Sequence, residues 1–201
     1  HGGAHMTALP LDGRNALVLG VERPAGRRAA VALAEAGANV AVVTISEDVK
    51  AKFAANSTAN EFWAIGRKGI ALTSDGHETT VKEAIAAATA QFGSISVLVW
   101  HLPAPLPRET LAGLRSDPAI VVLIGDEDAP DDARSLLEWT RELSDAGLRA
   151  NALVASRAAA DAVGPAIKEH HAPEPLDLGR AVVYLASDAS AAIEGAVLVV
   201  T

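Results

Sequence analysis

The chain has no cysteine. Disulfides, thiolate metal centres and cysteine nucleophiles are therefore excluded together. Aromatic residues make up only 3% of the 201 positions, with a single tyrosine. A core must be assembled from Val, Ile, Leu and the 43 alanines, whose small side chains let helices lie close to a sheet. Basic charge is in deficit: 17 Lys and Arg stand against 25 Asp and Glu, a net charge of −8. Nucleic acid and anionic membranes demand a basic footprint, so neither is expected as a partner. The longest charge-free stretch, Ala84–Pro107, is broken by Gln91, Gly93, Ser94, Ser96, His101 and three prolines, so it does not read as a membrane span. No secretory leader is visible, and a cytoplasmic protein is the expectation. Residues His1–His5 (HGGAH) read as a cloning scar, leaving 6–201 as the expected domain.

What is present is apolar and regularly spaced. Half of the residues are hydrophobic and 21% are charged, a balance that supports one packed core and excludes wholesale disorder. Short runs rich in Val, Leu and Ile occur at Asn15–Leu19, Asn39–Thr44, Ile70–Thr73, Ile95–Trp100, Ala119–Ile124, Arg149–Val154 and Ala196–Val200. Runs without polar alternation suit strands buried on both faces. Helical patterns separate most of them: Arg27–Ala36, Glu47–Ala55, Thr79–Phe92, Asp131–Ala146 and Leu176–Ala186. Asn56–Asn60 is poor helix material, so the second helix is expected to end near Ala55. Strands alternating with helices predict an α/β fold: a single doubly wound Rossmann-like domain with a parallel sheet of about seven strands. One crossover is irregular. His101–Pro118 carries four prolines, and its helical material is at most Arg108–Arg115.

The first strand runs into Gly20-Val21-Glu22-Arg23-Pro24-Ala25-Gly26 and then a helix. In a Rossmann domain such a turn cradles a pyrophosphate: glycines permit the bend and the close approach, and the helix start offers free N–H groups. With LDGRNALVLG, RRAAVALAEAGANVAVV, AAATAQFGSISVLV, GLRANAL and AVVYLASDASAAIEGAVLVV, the chain resembles the short-chain dehydrogenase/reductase family from Leu11 to Thr201. The resemblance implies the fold and, in active members, a nicotinamide dinucleotide.

The resemblance weakens at the functional positions. The family's turn reads TGxxxGxG. Here Leu19 stands for the Thr, Gly20 and Gly26 keep the first and third glycines, and Pro24 replaces the second. Proline lacks an N–H, cannot adopt a positive φ, and adds ring atoms where phosphate oxygens would approach. The family's NNAG corresponds to Trp100-His101-Leu102-Pro103, and its catalytic Ser falls near Gly125. The helix that should carry Tyr and Lys four apart contains neither. The only tyrosine is Tyr184, and no lysine occurs between Lys82 and Lys168. Hydride transfer to a carbonyl needs a tuned proton donor, and no substitute stands at the same spacing. Five carboxylates between Asp126 and Asp132 would repel an anionic dinucleotide. No cofactor is therefore expected. If a dinucleotide binds, the resemblance implies NADP, held by Gly20, Arg23, Gly26 and Thr44, because Arg23 suits a 2′-phosphate and Thr44 replaces the acid of NAD-preferring members.

Other constellations are weaker. The acidic run is a solvated loop and helix start before it is a Mg²⁺ site, so no metal is expected. His101, Asp126 and Ser156 follow three successive strands and are the candidates for a hydrolytic triad, although no GxSxG elbow is present. His170-His171 reads as surface. The sequence thus predicts a family member that has lost oxidoreductase catalysis and acts as a binding or scaffold partner. The alternatives are an NADP(H)-dependent oxidoreductase with unconventional acid–base groups, or a hydrolase or metal-dependent enzyme at the sheet edge. The implied partner is a second copy or an active relative, bound through the C-terminal helix and last strand, with Val197 and Val199 beside Val182 or Leu185.

Overall fold

Seven parallel strands form one sheet, in the order β3-β2-β1-β4-β5-β6-β7. The computed structural model describes residues 8–101, 108–114, 119–126, 132–155 and 178–200. The strands are β1 (Asn15–Leu19), β2 (Asn39–Thr44), β3 (Gly69–Thr73), β4 (Val97–Trp100), β5 (Ile120–Asp126), β6 (Arg149–Ala155) and β7 (Val197–Val200). The helices are α1 (Pro24–Glu35), α2 (Val49–Ala64), α3 (Glu78–Phe92), α4 (Asp132–Asp145) and α5 (Leu178–Ala186). A 3-10 helix, Arg108–Gly113, lies in the crossover between β4 and β5. The single doubly wound parallel domain expected from the sequence is what the chain adopts.

The continuous apolar runs are explained by burial on both faces. On one face Ala16, Val18, Val40, Val42, Val97, Val99, Val122 and Ile124 pack under α1, α2 and α5. On the other, Leu17, Leu19, Ala41, Val43, Leu98, Trp100, Val121 and Leu123 pack under α3, the 3-10 helix and α4. Alternate side chains of each strand serve alternate cores, so a one-residue slip would exchange the two sets.

Three expectations are corrected. Helix α1 begins at Pro24, three residues before the expected Arg27, because proline at the first helical position gives up only an N–H that has no intrahelical partner. Helix α2 continues to Ala64 through the poor helix formers. Asn56 Nδ2 and Thr58 Oγ1 donate to the carbonyls four residues back, at 2.8 and 2.9 Å, and Thr58, Ala59 and Phe62 are buried. Tertiary packing here overrides propensity. The approach to β3 is so close that a methyl on Gly69 would lie 2.3 Å from the carbonyl oxygen of Ala59. Finally, Val182 and Leu185 are wholly buried under the sheet, so they belong to the core rather than to an outward patch.

Candidate functional site

In an open parallel sheet, ligands bind outside the carboxyl ends of the strands, where the strand order reverses. Here that point lies between β1 and β4, and the β1–α1 turn forms its floor. Gly20 has φ +84, and a methyl on it would lie 2.2 Å from the backbone oxygen of His101. Only glycine lets the turn close on β4. Gly26 serves the other side: a methyl there would lie 2.3 Å from the Gly20 carbonyl oxygen, so the start of α1 rests directly on the turn. Both glycines therefore have a reason in the packing of the turn.

Pro24 stands in this turn without strain. It is exposed at the first position of α1, where its fixed φ is the helical one. Positive φ occurs only at glycines among the described residues. What Pro24 removes is a donor. Other amides of the turn are already engaged inside the protein. The N–H groups of Gly20 and Val21 both donate to the Val43 carbonyl, at 2.9 and 3.2 Å, and that of Arg23 donates to Gly20, at 3.1 Å. The turn closes tightly, and these three amides are spent inside the protein.

The neighbouring strand end carries an unexpected group. Thr44 is completely buried, and its Oγ1 accepts from the Ser46 N–H at 3.3 Å. Beside it, the Ile45 N–H donates to Oε2 of Glu22 at 3.2 Å. A carboxylate from the β1–α1 turn is thereby fixed at the end of β2. The sequence reading passed over Glu22, and the signal that would have found it is a contact between residues 23 positions apart. Tested against the pyrophosphate of a dinucleotide, the donor set of the turn fits poorly: one amide is missing and three are engaged inside the protein.

The remaining candidates are described only in part. His101 is buried, and its N–H donates to the Leu19 carbonyl at 3.1 Å. Trp100 pairs in register with Leu123, so His101 is level with Ile124. Asp126 ends β5 two residues further along, a step of about 7 Å. The register therefore staggers the two. Ser156, Leu102, Pro103 and His170-His171 lie outside the described residues, as do 127–131 of the acidic run. No group of three or more metal-ligating side chains occurs among the described residues. Tyr184 stands on α5 with 42% of its surface exposed. No described helix is long and apolar enough to cross a membrane.

Fold and cleft together define a class by architecture: the chain is a doubly wound Rossmann-like α/β protein, and part of its sequence is similar to a dehydrogenase. No family model matches it. A segment of 94 residues is 34% identical to 2-dehydro-3-deoxy-D-gluconate 5-dehydrogenase of Dickeya dadantii (strain 3937). The match spans 44% of this chain and 33% of that enzyme. Among solved structures, a hydroxysteroid dehydrogenase from Escherichia coli superposes with a TM-score of 0.70 at 19% identity, covering 96% of this chain and 97% of that one. A blue fluorescent protein from a metagenomic library, solved in complex with NADPH, superposes with a TM-score of 0.65 at 20% identity, covering 94% and 97%. At these identities the two structures speak for the fold alone.

Proposed function

We propose that this protein has kept the short-chain dehydrogenase/reductase scaffold, has lost oxidoreductase catalysis, and acts by association with a second copy or with a catalytic relative. One observation carries the reading. The only tyrosine of the chain, Tyr184, sits on α5 and is part-exposed, and no lysine lies between residues 82 and 168. A proton donor of lowered pKa cannot be assembled in the cleft from that pair.

Association is assigned to the C-terminal edge. β7 ends the sheet and pairs with β6 alone among the described strands. Leu198 and Val199 are 36% and 64% exposed, an unusual display for a strand of four apolar residues. A strand edge with open amides and carbonyls is a template for a partner, and a two-fold contact between identical edges closes as a dimer. Val182 and Leu185 are excluded from this surface because both are core.

The experiment has two arms. Purified protein is assayed for oxidation of NADPH and NADH over a panel of aldehydes and ketones, and its mass is followed by light scattering over a range of concentrations. The reading expects no turnover and a dimer that Val199→Asp dissociates while circular dichroism stays native. Turnover abolished by changing His101 or Asp126 would overturn the loss of catalysis. A wild-type monomer at every concentration, with no co-purifying partner from the native host, would overturn the association.

A second reading has its own support. The backbone of the turn retains Gly20 and Gly26 in working geometry, and one structural neighbour holds NADPH. On that reading the protein is an NADP(H)-dependent oxidoreductase with unconventional acid–base groups, and the same turnover assay separates the two.

A further inference from the structure

The 3-10 helix of the β4–β5 crossover packs against α3, and a cleft of about 510 Å³ opens between them. That is the size of a small-molecule site. Ile85, Ala86 and Ala90 of α3 give it an apolar wall, and Glu109 and Thr110 of the 3-10 helix line the other side. No residue of the β1–α1 turn or of β2 lines it.

One group in this cleft lacks what its burial demands. Thr110 is 2% exposed, and its Oγ1 has no hydrogen-bond partner. A hydroxyl so buried ordinarily finds one, because an unmet group forfeits the bonds it makes in water. The other hydroxyl of the cleft is satisfied: Thr89 Oγ1 donates to the Ile85 carbonyl at 2.8 Å. The charges at the rim are also unequal. Lys82 is ion-paired with Glu78, one turn earlier on α3. Glu109 is exposed and makes no ion pair among the described residues.

We propose that this cleft binds a small organic ammonium ion, a protonated primary amine carried on a compact apolar body. The apolar part covers Ile85, Ala86 and Ala90. The ammonium donates to Thr110 Oγ1 and to the Glu109 carboxylate. An ammonium has three donors and no acceptor, so it suits a hydroxyl oxygen beside a carboxylate, and charge strengthens both bonds. An anionic ligand would meet Glu109 with like charge and find Lys82 already engaged. The net charge of −8 favours the approach of a cation. The cleft is separate from the β1–α1 turn, so its occupancy does not depend on the loss of catalysis.

Benzylamine is the probe, with benzyl alcohol as its neutral counterpart and benzoate as its anionic one. Binding is followed by NMR shifts of the Ile85, Ala86 and Ala90 resonances in the wild type, Thr110→Val and Glu109→Gln. Benzylamine should shift them saturably and bind about fivefold or more tighter than the alcohol, while benzoate has no saturable effect. Glu109→Gln should bring benzylamine to about the level of the alcohol. Thr110→Val keeps the shape and removes the hydroxyl. It should weaken benzylamine by about threefold or more, while urea unfolding finds it at least as stable as the wild type, because an unmet group has gone. Absence of saturable shifts at the cleft overturns the assignment, as does an amine that binds no tighter than the alcohol. So does an affinity that either substitution leaves unchanged. A Thr110→Val protein less stable than the wild type also overturns it, because the hydroxyl would then have a partner without any ligand.

Discussion

Replacing Gly20 by Ala tests whether the turn is pressed against β4. Two effects contribute. The residue has φ +84, a region where a side chain costs roughly 1–2 kcal/mol, partly offset by the lower entropy of an unfolded alanine, about 0.4–1 kcal/mol. The methyl would also lie 2.2 Å from the backbone oxygen of His101, which cannot rotate away as a side-chain tip would. Relief requires the turn and the end of β4 to separate, an overpacking strain of about 1–3 kcal/mol. Gly13 supplies the control: its φ is +77, and no atom lies within 4 Å of a methyl placed there. Gly13→Ala therefore carries the backbone effect alone. Urea unfolding of both variants should show Gly20→Ala less stable than Gly13→Ala by about 1–3 kcal/mol, a difference of roughly 2–12 °C in Tm for a chain of this size. Equal stabilities would refute the close contact between the turn and β4.

Three further outcomes are expected. Asp75 has its pKa lowered below the usual 3.8, first by the Thr80 hydroxyl at 2.5 Å and then by the His77 N–H at 2.9 Å. A folded-state pKa below the unfolded one stabilises above the unfolded value and is lost as pH falls through the folded one. Thr80→Val should raise the Asp75 pKa measured by NMR titration, and an unchanged titration would contradict the bond. Asn151 is completely buried, donating to the Ile193 carbonyl at 2.9 Å and accepting from the Ala196 N–H at 3.0 Å. Asn151→Ala leaves both partners unmet, so denaturant unfolding should show a loss of about 2–4 kcal/mol, and hydrogen exchange should speed first in β7. Gly69→Ala should loosen the seat of α2, because the methyl meets the Ala59 carbonyl; a variant as stable as the wild type would refute that contact.

Strand positions were legible because both faces of each central strand are buried, which leaves an uninterrupted apolar run that no exposed segment needs. Helix ends at Gly37, Gly93 and Gly147 were legible for a similar reason: each glycine has positive φ, a conformation that only glycine supplies among the described residues. The length of α2 was not legible. Its Asn and Thr residues favour turns locally, and only packing of Ala59 and Phe62 against the sheet keeps them helical. Pro24 was read as an obstacle by analogy with a glycine of the family's turn, whereas its place at the first helical position makes it compatible with the backbone. Val182 and Leu185 look alike in sequence whether they face a sheet or a partner, and the sheet claims them. Glu22 illustrates the limit of motif reading. Its significance comes from the Ile45 amide, which the fold brings to it across a helix and a strand.

The central claim is that the cleft of this Rossmann domain has ceased to serve a nicotinamide dinucleotide. Its most direct test is calorimetric titration of the wild-type protein with NADPH and, separately, with NADH. The reduced donors of the turn predict a flat trace with either dinucleotide up to millimolar concentration, and the Glu22 carboxylate adds a barrier to NADPH alone. Saturable binding of either at micromolar concentration would contradict the account.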